Sequence, residues 1–430
     1  MNYLLYDILI HGAFMATLPY YLVKRFTTDK YREGAAERFG FIDAGKIKKL
    51  SGGGGGPVIW VHAVSVGETK AATALLKGLR KAHPGARIFF TTTTLTGQRV
   101  AEKEGAGLYD ALAYFPLDFS WAVKRAIKKV SPRIFIVVEK EVWPNFYHTL
   151  HSLSIPIVVV NGTISERSFK RFLRLKSFFR SVFAEVTCFC ARTEGDLERA
   201  LSLGVGKDRG VLTGNMKFDL NAELDKKTVG SLKEALDISG RDRVVVAGST
   251  HAGEEEIFLT LFKKLLKEFK GVKLVIAPRH PERFSEVEAL IKGTGMAYSR
   301  RSSGGGGGGE VTLLDTIGEL MAVYSLSDIA FVGGSLVKGV GGHNLLEPAA
   351  YGKPVLYGPF LSTYLSMAEM LEVEGGGIRV SDGGELSAVL KRLLTDEDLR
   401  LNTGLGAKRV VDRNRGAVDK TLKIIDGLLR

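Results

Sequence analysis

A chain of 430 residues, 45% hydrophobic and 25% charged, is ordinary globular material for two or three domains, which excludes a disordered, fibrous or disulfide-stapled architecture. Its net charge of +13 lies wholly in the first half, where residues 1–220 hold 32 Lys and Arg against 19 Asp and Glu while the remainder holds 28 of each. Such an asymmetry points to an anionic partner of the N-terminal half, either nucleic acid or a lipid surface.

Residues 2–23 are mostly apolar, about the length needed to cross a bilayer, and are followed by Lys24, Arg25, Lys30 and Arg32. With no basic segment before them and no small-residue cleavage site after, they read as a membrane anchor that leaves the protein on the cytoplasmic side, either spanning the bilayer or lying in its interface, since Asp7, His11 and Pro19 interrupt the run. A charged stretch, YREGAAERFG, follows at 31–40, spaced for i,i+4 pairs if helical. Residues 1–40 are therefore set apart as anchor and juxtamembrane segment.

After the glycine run at 51–56 the chain alternates strand and helix: VIWVHA, RIFFTTTT, LAYFPL, RIFIVV and IPIVVVNG, then a basic helical stretch at 165–180, VTCFCAR and GVLTGN. Cys188 and Cys190 sit in that apolar VTCFCA run and read as core in a reducing compartment. Phe169, Phe172, Phe178 and Phe179 interleave with the arginines of the basic stretch as the buried face of a helix, and with no nucleic-acid motif around them no nucleic acid is expected. A polar helical crossover at 219–240 leads to a second series, RVVVAGST, KLVIAP, a further glycine run at 302–310, VTLLDT, IAFV, PVLY and GIRV. The expected fold is thus α/β, two Rossmann-like doubly wound domains covering 41–220 and 221–430, with a ligand in the cleft between strand carboxyl ends.

The unusual polar residues follow the strands. After IAFV comes a loop with Gly333, Gly334, Gly339, Gly341 and Gly342, then Asn344 to Ala350 as a helix start. A glycine-rich loop at a helix N-terminus offers backbone N–H groups to phosphate, and Glu347 is placed to accept ribose hydroxyls; the plainer alternative is a tight turn capped by Asn344. GSTH at 248–251, Pro278-Arg279-His280 and Ile317-Gly318-Glu319 follow other strands of the same series, and Arg279 suits a phosphate or carboxylate. In the first half Glu68 follows a strand at the start of a helix, where a carboxylate is either a functional acid or a first-turn answer to the dipole. Glu139 ends IFIVV, where an unpaired acid is costly and function is favoured over packing; Lys217 in GNMKFD could reach the same cleft.

These segments resemble the 3-deoxy-D-manno-octulosonic acid (Kdo) transferases of lipopolysaccharide synthesis: WVHAVSVGE, TTTTLTG, FPLD, IVVEKEVWP, NGTISERS, ARTEGD, TGNMKFD, AGSTHAGEEE, APRHPERF, DTIGELMAVYSLSDIAFVGGS and GGHNLLEPAAYGKPV stand in order from about 58 to 360. The resemblance implies a GT-B glycosyltransferase on the cytoplasmic face of the inner membrane, with CMP-Kdo as donor and a lipid A precursor (lipid IVA) as acceptor; the basic half and the apolar N-terminus add the expectation of docking on anionic lipids. It makes Glu68 the general base, Glu139 and Lys217 helpers of the transition state, and Pro278, Arg279, Ile317, Gly318, Glu319, Asn344, Leu345, Leu346 and Glu347 the CMP site. Neither metal nor cofactor is expected; the single D-x-D, Asp396-Glu397-Asp398, reads as solvated surface. The rivals are another GT-B transferase using a UDP-sugar, which nucleotide competition separates, and a non-catalytic membrane scaffold, which would tolerate loss of Glu68.

Overall fold

The computed structural model describes residues 2–27, 33–52, 55–220, 222, 224–304 and 309–430; Lys30, Arg32, the Arg25 side chain and the centres of the glycine runs, 53–54 and 305–308, lie outside them. The chain divides into two units, Met1–Asp219 with Arg415–Arg430, and Leu220–Asn414.

The first unit holds a seven-stranded, wholly parallel sheet of β1 (Val58–Ala63), β2 (Arg87–Thr92), β3 (Ala111–Tyr114), β4 (Ile134–Val138), β5 (Ile157–Gly162), β6 (Cys188–Ala191) and β7 (Gly210–Leu212), in the order β3-β2-β1-β4-β5-β6-β7. Its central strands are apolar end to end because helices cover both faces. Side chains still alternate: Trp60, Phe89 and Phe135 share one face and pack on Phe146, while Val61, Phe90 and Ile136 pack on the other beneath helix Val66–Ala82. Cys188 and Cys190 are free and buried, and Phe178 is buried with Phe169, Phe172 and Phe179 packed partly against the same core, as read from the sequence.

The second unit repeats the plan with β8 (Arg243–Thr250), β9 (Val272–Pro278), β10 (Tyr298–Arg300), β11 (Val311–Leu313), β12 (Ile329–Val332), β13 (Val355–Tyr357) and β14 (Gly377–Arg379), all parallel, in the order β10-β11-β9-β8-β12-β13-β14. In each sheet the chain builds outward to one side and then returns to the middle, so there is a switch point between β1 and β4 in the first and between β8 and β12 in the second. Crevices outside the strand carboxyl ends at such points are where open α/β sheets bind ligands. The edge strand β10, only three residues long, was not foreseen.

Two expectations are corrected. Residues 415–430, read with the second domain, return to the first unit: both oxygens of the Asp219 carboxylate accept N–H bonds, from Gly416 and Val418 at 2.6 Å each, and Leu422 of helix Ala417–Leu429 covers Gly78, where even a methyl group would clash. The charges of 33–38 do not pair among themselves either. Glu37 instead accepts the Tyr114 N–H and pairs with Lys46, while Arg38 donates to the Thr93 carbonyl.

Residues Tyr3–Thr27 form one 25-residue helix, as the apolar run suggests, but no helix among the described residues is long and apolar enough to cross a membrane. The polar residues that interrupt the run dock the helix on the first unit. Tyr6 donates to Asp118 (2.9 Å), Asp7 accepts from the Ser120 N–H and hydroxyl and from Asn145, and Tyr3 stacks on His148. Leu4 (70% exposed), Ile8, Leu9, Met15 and Val23 are left facing outward.

Candidate active site

At the first switch point β1 and β4 deliver Glu68 and Glu139. Beyond β1, Ser65 caps helix Val66–Ala82: its hydroxyl accepts the Glu68 N–H (3.4 Å) and lies 3.2 Å from Glu68 Oε1, while Glu68 Oε2 accepts the Val64 N–H at 2.6 Å. This is the reciprocal arrangement of a capping box, displaced by one residue at the backbone donor. The carboxylate is only 3% exposed. Burial pushes it up to about 7, aided by the negative charges of Glu141 and Glu139 and opposed by the bonds from Val64 and Ser65. A carboxyl group that titrates there can hold or release a proton at neutral pH.

Glu139 has φ +66°, a left-handed conformation that costs a non-glycine residue on the order of 1–3 kcal/mol and collects at functional sites. Its N–H remains tied to the Val160 carbonyl. The turn sets Glu139 Oε1 3.6 Å from Lys217 Nζ, an ion pair too long for a hydrogen bond, and that buried oxygen accepts none. Lys217 is itself positioned by Asn215, whose side chain caps the short turn Met216–Phe218. The structure therefore brings Glu68, Glu139 and Lys217 together electrostatically, and adds Glu141, whose carboxyl is raised mainly by burial. Sequence reasoning missed Glu141, although E-K-E after a buried strand was the available signal.

At the second switch point the glycine loop after β12 differs from its expected use. Glu254, fully buried, accepts the N–H groups of Gly334 (2.7 Å) and His251 (2.9 Å) on one oxygen and those of Ser335 (3.1 Å) and Leu336 (3.0 Å) on the other. The N–H groups read as a phosphate cradle are thus spent on the protein's own carboxylate. Helix Leu346–Ala350 also begins two residues later than expected and is a single turn, too short to supply much dipole. The signal for Glu254 was GEEE, three acids opening a helix.

Arg279 follows β9, exposed and without an ion pair among the described residues, its N–H held by the Thr250 carbonyl; Pro278 is buried at the strand end. Ile317 is 63% exposed beside Gly318, whose φ of +96° requires glycine. The Glu319 carboxylate is engaged by Arg301 (2.8 Å) and the Thr316 hydroxyl. Asn344 accepts the Leu346 N–H and donates to Glu347 (3.2 Å each), Leu345 and Leu346 anchor the turn in the core, and Glu347 lies in the field of Tyr324, Tyr351 and Tyr364. All these residues belong to loops at the carboxyl edge of one sheet. Asp396, Glu397 and Asp398 are exposed, with Glu397 paired to Arg243 and Arg400. No group of three or more metal-ligating side chains occurs among the described residues.

Residues 33–220 match the family described as 3-Deoxy-D-manno-octulosonic-acid transferase (kdotransferase). The 3-deoxy-D-manno-octulosonic acid transferase of Haemophilus influenzae is 36% identical over 403 residues, covering 92% of this chain and 91% of its own length; that of Chlamydophila psittaci is 35% identical, covering 87% and 84%. Among solved structures, a glycosyltransferase from Rickettsia africae aligns with a TM-score of 0.55 at 14% identity, covering 88% of this chain and all of its own, and so shares the two-domain GT-B fold. Relatives so similar over nearly their full length, with the motif-bearing strand ends assembled at two switch points, place this chain in the Kdo transferase family of glycosyltransferases.

Proposed function

We propose that this enzyme transfers Kdo from CMP-Kdo to a lipid A precursor with inversion at the anomeric carbon. Its first unit supplies the base and its second the nucleotide site. A sugar hydroxyl is a poor nucleophile, so Glu68 takes its proton as the oxygen attacks the anomeric carbon. The bond to the donor phosphate breaks, and CMP leaves with the electron pair, which nearby cationic and N–H groups stabilise. Glu139, paired with Lys217, orients the ammonium and keeps negative charge beside Glu68, a smaller addition to the burial and the Glu141 charge that hold that carboxyl high enough to be an effective base. Pro278, Arg279, Ile317, Gly318, Asn344, Leu345, Leu346 and Glu347 hold CMP, with Glu347 as the ribose acceptor; Glu319 contributes its backbone and stiffens its loop through Arg301. No metal enters this scheme. The observation that carries the reading is the buried Glu68 carboxyl, pushed up to about 7 at the β1/β4 switch point beside two further carboxylates. Incubation of the purified protein with CMP-Kdo and lipid IVA, followed by mass measurement of the lipid, tests it: gain of Kdo is expected, and turnover only with a UDP-sugar would overturn it.

The same reading locates the enzyme on the cytoplasmic face of the inner membrane. Helix Tyr3–Thr27 offers an outward apolar row and the first unit carries the chain's positive charge, the combination that suits an interfacial helix on anionic lipid.

A further inference from the structure

Three histidines converge where the glycine loop is closed to phosphate. His251 follows β8, His280 follows β9 and His343 precedes Asn344 after β12, and these three strands are neighbours. His251 Nε2 and His343 Nε2 are 2.8 Å apart with the ring planes within 11° of parallel, and His280 stands edge-on to His251 at 5.2 Å between centroids. Gly334, at φ +68°, leaves the room that the His343 ring fills; a Cβ there would sit 3.1 Å from its Nε2. Two imidazole nitrogens at 2.8 Å must be one N–H donor and one lone pair, so the pair cannot be protonated on both facing nitrogens and holds at most one positive charge.

We infer that the His251–His343 pair, with His280 and Arg279 beside it, seats a negatively charged group of the donor and takes up one proton when that group binds. The inference rests on the proposed CMP-Kdo donor, which carries two such groups, a phosphate and the sugar carboxylate. The surroundings favour a neutral His251 when the site is empty: burial and the charges of His280, Arg283 and Arg279 hold it below its ordinary value. The neighbouring acids are otherwise committed, Glu254 to four backbone N–H groups, Glu255 and Glu286 to Arg283, and Glu282 to His280 at 3.7 Å. Glu347, the acid beyond Asn344, accepts from the Asn344 side chain. An arriving anion reverses the balance and stabilises an imidazolium, so affinity should fall as pH rises, by up to about tenfold per unit for a single linked proton.

The test is calorimetric titration of the full chain with CMP, then of the CMP-saturated protein with free Kdo, between pH 6 and 8.5 in buffers of different ionisation heat. Cytidine, which lacks the phosphate, serves as control. Uptake of about one proton with CMP assigns the phosphate to this seat; uptake only with Kdo assigns the carboxylate. In His251→Asn and His343→Asn the uptake should vanish and affinity for the assigned ligand should fall about tenfold or more, with cytidine binding retained as proof that the site is folded. CMP binding with no proton uptake at either step, or uptake that survives both substitutions, overturns the inference alone. Absence of binding by both cytidine and CMP overturns the donor assignment, and this seat with it.

Discussion

Glu68 caps a helix and is the base of the proposed reaction, and the two roles give opposite results in one variant. Glu68→Gln keeps an acceptor for the Val64 N–H but cannot take a proton. As base it should lose roughly 10²–10⁴-fold in turnover with donor affinity barely changed. A cap alone predicts near-normal turnover and a loss of about 0.3–1 kcal/mol in stability. Because the folded carboxyl is raised to about 7, its ionisation disfavours the fold as pH climbs from its ordinary value through 7; the Gln variant, a mimic of the neutral form, should melt no lower than the parent above that pH. For the parent, kcat/KM for the acceptor should rise tenfold per pH unit up to about 7 and then level, a limb missing from the Gln variant's residual activity. Glu254→Gln should be more damaging to the donor than its similar shape suggests, since its amide nitrogen would face two backbone N–H groups that need an acceptor. Donor KM should rise and the melting temperature fall together. Arg279→Ala and Glu347→Ala should each weaken CMP by about 1.5–3 kcal/mol in calorimetry and leave acceptor KM unchanged.

The elements were legible where hydrophobic pattern decides them. Continuous apolar runs such as IFIVV and IAFV became central strands, and the acids and glycines directly after them stand at the carboxyl ends of the two sheets. What the sequence concealed was which partner each polar group would choose. Glu254 lies some 80 positions before the glycine loop it holds, and His251 is 92 positions from His343, so no local spacing announces either contact. The N-terminal helix shows the same limit: Asp7 looked like an interruption in a membrane segment, whereas in the fold it meets Ser120 and Asn145. Its outward row remains available to lipid, and Ile8→Glu with Leu9→Glu should therefore abolish flotation with anionic vesicles while leaving the melting temperature within about 1–2 °C. Equal flotation of this variant and the parent would sink the interfacial reading.

At the scale of the molecule, the positive charge and the apolar helix belong to the same unit, and the returning segment Arg415–Arg430 adds to it Arg415, Lys420, Lys423 and Arg430 against Asp419 and Asp426. Vesicle binding should accordingly weaken as salt rises, since screening acts on the charged share of the attraction. Removing residues 415–430 should destabilise the first unit, far away in sequence, because Asp219 and the Gly78 face of helix Val66–Ala82 lose their cover; two-transition calorimetry should show the change there and spare the second unit. That closing helix also sets a timetable for synthesis. The first unit leaves the ribosome early yet lacks its last helix until about 195 further residues, Leu220–Asn414, have been made, a delay of about 10–40 s at ordinary elongation rates. Through that interval the nascent chain carries an uncapped Asp219 and a bare apolar helix face, the kind of surface that chaperones bind, on the same unit that bears helix Tyr3–Thr27 with its outward apolar side chains.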